Sequence, residues 1–156
     1  MKILFVCHGN ICRSPMAEFI FKQMLAERGL SDRFTVESAA TSTEEIRNGV
    51  GNPIYPPARA ELLKNGIPVR EKRARQICRE DLERFDLLVG MDHANLRNMW
   101  RILGANSKKK TCLLMDFTSR GGEVADPWYS DRFDITFRDI RDGCEGLLEA
   151  ILTKKI

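Results

Sequence analysis

The sequence predicts an α/β fold: a single domain over residues 1–156 built on a doubly wound, four-stranded parallel sheet with helices on both faces. Three observations carry this. Short β-prone apolar runs alternate with helix-patterned stretches in the order β-α-β-α-β-α-β-α. The first run, "KILFVC" (2–7), is continuously apolar after its lysine, the mark of a strand buried on both faces. A chain of 156 residues buries roughly 68–70% of its unfolded surface, so one core suffices without disulfides or metal.

Each element has its own signal. A helix is predicted from about Ser14 to Arg28, with Ser14 as its cap, Pro15 in the first turn and Gly29 at the exit. "FTVESAA" (34–40) reads as the second strand, and Pro56 to Asn65 as a helix stopped by Gly66. "FDLLVGM" (85–91) is the third strand, followed by Leu96, Met99, Trp100 and Leu103 at helical spacing. "TCLLMDF" (111–117) is the fourth. The last helix, about 135–153, carries Phe137, Ile140, Cys144, Leu147 and Ile151 on one face. Residues 41–56 and 118–134 read as long loops, which in a compact domain are more often functional than neutral.

Composition narrows the class. The net charge of +3 does not itself call for nucleic acid, but it favours an anionic ligand if focused on one cleft. The basic run "REKRARQICR" (70–79) lacks interleaved aromatics and reads as a solvated face. "ILFVC" is too short for a secretory segment, and no run approaches the ~20 apolar residues of a membrane span. The cysteines (7, 12, 78, 112, 144) are odd in number and irregularly spaced, which argues against a disulfide framework and for a reducing cytoplasm. Cys78, Cys112 and Cys144 read as core residues.

The chemistry concentrates in "FVCHGNICRSPMAE" (5–18). In an open α/β sheet, ligands bind beyond the carboxyl ends of strands, where the strand order reverses. Here a strand ends at Cys7 and residues 8–13 run straight into a helix start, whose unpaired N–H groups and partial positive charge favour an anion. Gly9 lets the backbone curl and Asn10 tolerates a left-handed conformation. Cys7 lies at the base of this nest, where the helix dipole favours a thiolate, and Ser14 can add a hydroxyl hydrogen bond. Arg13 offers a planar fork of donors suited to two phosphate oxygens. The combination suits phosphoryl transfer to sulfur. The loop lacks the Gly-Lys-Ser/Thr ending of a nucleotide-binding P-loop. A zinc knuckle of Cys7, His8 and Cys12, or a plain polar turn, remains the competing reading of these residues.

"VCHGNICRSPMAE" resembles the signature of the low-molecular-weight protein tyrosine phosphatases, V-C-x-G-N-x-C-R-S-P-x-A-E. The similarity continues through "ESAAT" (37–41), "ARQICREDLERFDLLVGMDHANLR" (74–97) and "DPWY" (126–129). The resemblance implies a parallel sheet of order 2-1-3-4 and a phosphate-binding loop of His8, Gly9, Asn10, Ile11, Cys12, Arg13 and Ser14. It implies Cys7 as nucleophile, Arg13 as phosphate clamp and Asp126 as general acid. Ser38 becomes the expected partner of Asn10, Asp92 a position near the loop as well as a helix cap, and Trp128 and Tyr129 an aromatic wall. Cys12 becomes a redox guard for Cys7. The implied substrate is a phosphotyrosine protein or peptide and the product inorganic phosphate, with no cofactor, metal, nucleic acid or membrane.

Two departures stand out. Many members carry a histidine, paired with the signature glutamate, where this chain has Lys72, so a Glu18–Lys72 ion pair is one expectation and a solvent-facing lysine the other. In "EEIRNGVGN" (44–52) many members carry a tryptophan. Here Arg47 is the candidate wall residue and no aromatic follows until Tyr55, so a more open wall is one expectation and attraction of an acidic phosphopeptide by Arg47 the other. Among rival reactions, arsenate reduction needs further cysteines after the third strand, where "VGMDHANLRNM" has none. Protein arginine phosphatases favour threonine at Ile11, where an apolar residue suits an aryl ring better. A non-catalytic phosphate-binding module would need neither Cys7 nor Asp126.

Overall fold

The computed structural model describes all 156 residues. Strands β1 (Lys2–Cys7), β2 (Thr35–Ala40), β5 (Leu87–Gly90) and β6 (Thr111–Leu113) form one sheet. All its pairings are parallel and its order is β2-β1-β5-β6, which is 2-1-3-4 when only these strands are counted. The short strands β3 (Ile46–Arg47) and β4 (Val50–Gly51) pair separately as a hairpin.

Two cores explain why "KILFVC" is apolar at consecutive positions. Successive strand side chains point to opposite faces. Ile3, Phe5 and Cys7 enter the larger core, together with residues of helices α1 (Arg13–Glu27), α2 (Pro56–Lys64) and α6 (Phe133–Leu152). Leu4 and Val6 enter the smaller one, with Leu96, Met99 and Leu103 of α4 (His93–Leu103). Helices α3 (Asp81–Arg84) and α5 (Pro127–Ser130) are single turns that the sequence pattern did not distinguish from loop. No helix is long and apolar enough to cross a membrane.

Three differences from the sequence reading have local causes. The fourth strand stops at Leu113, because residues Leu114–Phe117 coil into a tight turn whose Asp116 carboxylate accepts the Leu113 N–H at 3.0 Å. The stretch 41–56 is not irregular throughout: Asn48 (φ 52°) and Gly49 (φ 77°) make a two-residue turn with both φ positive, the Asn-Gly hairpin signal. The basic run is not simply solvated. Arg75 O accepts the Ala40 N–H at 2.7 Å and Ala40 O accepts the Ile77 N–H at 2.8 Å, so this segment covers the outer edge of β2. Arg75 also forks onto Asp81, with Nη1 and Nη2 at 3.0 and 3.2 Å from its two oxygens.

Helix α6 carries Gly143 and Gly146, each costing about 1 kcal/mol of helix propensity relative to alanine. Close packing accounts for both. A Cβ on Gly146 would sit 2.0 Å from the Phe117 carbonyl oxygen, and one on Gly143 would sit 2.5 Å from Leu114 Cγ. Gly146→Ala is therefore expected to destabilise the fold by about 1–3 kcal/mol despite its better helix propensity. A lower denaturant midpoint at unchanged m-value would register it; an unchanged midpoint would refute the close-packing account.

Candidate active site

The loop between β1 and α1 lies at the carboxyl end of the central strand, where β2 and β5 diverge to either side. Its carbonyls are tied outward. Those of Cys7, His8, Ile11 and Cys12 accept N–H groups of Thr41, Ser42, Tyr55 and Met16 at 2.8–3.1 Å. The N–H groups of His8, Gly9, Ile11 and Cys12 find no acceptor in the protein, while that of Asn10 points to Cys7 Sγ at 3.3 Å. The result is a cradle of donors around a buried thiol, continued by the open first turn of α1.

Asn10 adopts the left-handed conformation expected of it, at φ 61°. At Gly9 the loop turns without a positive φ, and the lack of a side chain makes room for Glu45, whose Cγ would lie 3.3 Å from a Cβ there. Ser14 does not cap the helix. The N-cap position is Cys12, with no side-chain cap, and Ser14 Oγ lies 3.0 Å from Cys7 Sγ instead.

That serine belongs to a directional chain of hydrogen bonds. Asn10 Oδ1 accepts the Arg75 N–H at 3.2 Å, which turns Asn10 Nδ2 toward two serines. Nδ2 donates to Ser14 Oγ at 2.8 Å and to Ser38 Oγ at 3.0 Å. Ser38 Oγ passes its own hydrogen to Glu18 Oε1 at 2.6 Å. Because Ser14 Oγ accepts from Asn10, its hydrogen is free to donate to Cys7 Sγ, so the chain ends with a donor aimed at the sulfur.

Glu18 anchors the far end. Lys22 Nζ lies 2.6 Å from its Oε2 and Lys72 Nζ 3.8 Å from its Oε1. Lys72 is therefore turned inward rather than to solvent, and its strongest bond is donation to Ser38 O at 2.8 Å. Burial lowers the Lys72 pKa below the ordinary lysine range, and the Glu18 charge opposes only part of that.

Arg13 is buried and braced. Nη1 donates to Asp92 Oδ2 and to Val124 O, both at 3.0 Å, while Nη2 lies 3.5 Å from Asp126 Oδ2. Nε and Nη2 make no hydrogen bond within the protein, which leaves a two-pronged donor edge for an anion. Burial alone would lower the guanidinium's pKa, but Cys7, Asp126 and Asp92 together raise it. Asp92 serves two roles: Oδ2 holds Arg13, and Oδ1 accepts the Asn95 N–H at 2.8 Å as the cap of α4.

A cavity of about 250 Å³ opens above Cys7, lined by the loop, Asp126, Trp128, Tyr129, Glu44 and Glu45. Asp126 caps α5, its Oδ1 accepting the Trp128 N–H at 3.0 Å, so the Asp-Pro turn and the overhanging carboxylate are one feature. Trp128 and Tyr129 are exposed, and Trp128 leans on Tyr55 with ring centroids 5.5 Å apart. Arg47, expected in the wall, is not among the lining residues. Glu44 and Glu45 are there instead, and sequence reasoning missed them together with Tyr55 and the Val124 carbonyl.

Cys12 is buried beside Cys7, both as free thiols. Burial first, then the Cys7 and Asp126 charges, pushes the Cys12 thiol up to about 12. Cys7, His8 and Cys12 do not form a cluster able to hold a metal ion. Cys78, expected in the core, is exposed, and Cys112 is half-buried.

Comparison with known proteins agrees with this arrangement. The family model for low molecular weight phosphotyrosine protein phosphatase matches residues 2–156. The chain is 34% identical over 157 residues to the low molecular weight protein-tyrosine-phosphatase YfkJ of Bacillus subtilis (strain 168), covering 99% of this chain and 98% of that protein. It is 38% identical over 154 residues to the low molecular weight phosphotyrosine protein phosphatase of Rattus norvegicus, covering 94% and 93%. The crystal structure of YfkJ superposes with a TM-score of 0.93 over 100% of this chain and 97% of that one. That of a protein tyrosine phosphatase from Entamoeba histolytica gives 0.90 at 29% identity, over 100% and 99%. The fold and cradle define a phosphate-handling α/β protein. The chain belongs to the low molecular weight phosphotyrosine protein phosphatase family.

Proposed function

We propose that this protein hydrolyses phosphotyrosine in proteins or peptides through a phosphocysteine intermediate, without a metal, in a cytoplasmic setting. The observation that carries the reading is a buried thiol at the focus of inward N–H groups, a serine hydroxyl and a braced arginine fork. In the first step Cys7 Sγ attacks phosphorus and the bond from phosphorus to the phenolic oxygen breaks. Asp126 gives that oxygen its proton. Arg13 and the cradle N–H groups hold the three equatorial oxygens as charge spreads over them. In the second step Asp126 takes a proton from water, whose oxygen attacks phosphorus. The sulfur–phosphorus bond breaks, returning the Cys7 thiolate and inorganic phosphate.

Ile11 and Trp128 border the cavity and supply apolar surface for an aryl ring. The discriminating experiment is hydrolysis of phosphotyrosine and phosphoarginine peptides with chelator present. Turnover of the first and not the second supports the reading; the reverse selects the arginine phosphatase. Asp126→Asn is expected to slow phenyl phosphate roughly 10²–10⁴-fold, the scale of a lost general acid. The loss should be much smaller for p-nitrophenyl phosphate, whose leaving group departs without protonation. Equal losses on both substrates would count against Asp126 as the acid.

A further inference from the structure

We propose that the mouth of the cavity selects phosphotyrosines with basic neighbours, and that Glu45, with Glu44 beside it, sets this preference. The inference rests on the phosphatase reading and adds the charge class of its substrate. Three carboxylates border the cavity, and they differ in how they are compensated. Asp126 faces the Arg13 guanidinium. Glu44 Oε2 lies 2.9 Å from His8 Nε2, a pair that is an ion pair only when the ring is protonated. Glu45 has no cation within 4.0 Å; its Oε2 accepts from the neutral Asn52 amide at 2.7 Å, which fixes the side chain without cancelling its charge.

The position of Glu45 gives that charge its effect. Its side chain lies against Gly9, on the rim of the phosphate cradle. It is close enough for its field to raise the Cys12 thiol pKa. A phosphoryl group seated on Arg13 would place the flanking residues of its peptide across this rim. There a lysine or arginine meets a fixed, uncompensated carboxylate and an aspartate or glutamate meets repulsion. Rim charges of this kind act through association and partner choice, and salt weakens them. The hairpin explains why the charge is opposite to what Arg47 suggested. The turn at Asn48 and Gly49 carries Arg47 away from the lining and leaves Glu44 and Glu45 on the arm that enters it.

The test uses phosphotyrosyl peptides of one length, carrying either lysines or glutamates beside the phosphotyrosine, with p-nitrophenyl phosphate as a reference lacking flanking charge. The readout is the ratio of kcat/KM for basic over acidic peptide, which is internal to each variant and insensitive to the fraction folded. The wild-type ratio is expected to exceed one at low salt and to fall toward one at high salt. Glu45→Gln should lower it about two- to fivefold, the range of a partly exposed ion pair. Glu45→Lys should lower it further, and Glu44→Gln less than Glu45→Gln. A wild-type ratio at or below one, or a ratio unmoved by Glu45→Lys, would overturn the proposal while leaving the phosphatase reading intact. No turnover of p-nitrophenyl phosphate would overturn both.

Discussion

Replacing Cys7 by serine is expected to reduce turnover of p-nitrophenyl phosphate to background, a loss of about a millionfold on the scale of enzymes deprived of a covalent nucleophile. The reason is chemical rather than structural. The serine hydroxyl fits the same space and can accept the same hydrogen bonds from Asn10 N and Ser14 Oγ. What it lacks is the soft, polarisable sulfur that forms the phosphorus bond and later leaves it. The variant should therefore still bind inorganic phosphate, which calorimetry can measure alongside the kinetics. Substantial activity with Cys7→Ser would refute the phosphocysteine mechanism. Lost phosphate binding together with lost activity would show a damaged cradle instead.

Arg13→Lys is the second large effect, expected at roughly 10³–10⁵-fold in kcat, the range attributed to an arginine that stabilises a phosphoryl transition state. Charge is conserved in this exchange, so the loss measures geometry. A lysine cannot bond Asp92 Oδ2 and Val124 O at 3.0 Å while presenting two further donors in a plane to the phosphoryl group. It would leave the Val124 carbonyl or Asp92 short of a partner, or leave the substrate oxygens so. A drop of less than tenfold would mean that net positive charge, and not the fork, does the binding.

The sequence made the centre of the site legible because the centre is local. A strand end, a turn and a helix start lie within residues 2–27, and their backbone directions follow from element type alone. Cys7, Asn10 and Arg13 could be placed from that. The same locality was half right at Ser14: its hydroxyl reaches Cys7 Sγ at 3.0 Å as expected, but it is not the cap that a helix-start serine suggests, since the N-cap position falls on Cys12. The periphery was less legible because it depends on how distant segments meet. Asn48-Gly49 announces a hairpin, yet only the packed fold shows which arm faces the cavity and so exchanges Arg47 for Glu44 and Glu45. Tyr55 supports Trp128 from 73 positions away, a contact no pattern along the chain encodes. Lys72 lies between these cases. Its inward course follows from the segment 72–77 covering the β2 edge, which a basic composition conceals.

The outward-tied carbonyls of the 8–12 loop have a consequence beyond catalysis. They hold several N–H dipoles and one guanidinium converging on a single volume, an arrangement of like poles that only an anion relieves. The tethers come from Thr41, Ser42 and Tyr55, distant in sequence, so the convergence exists only when the whole chain is folded. Inorganic phosphate, the expected product, then becomes a ligand of the native state alone, and mass action makes each bound ion an increment of stability. End-product inhibition and resistance to unfolding are then expected to be one equilibrium constant observed from two sides.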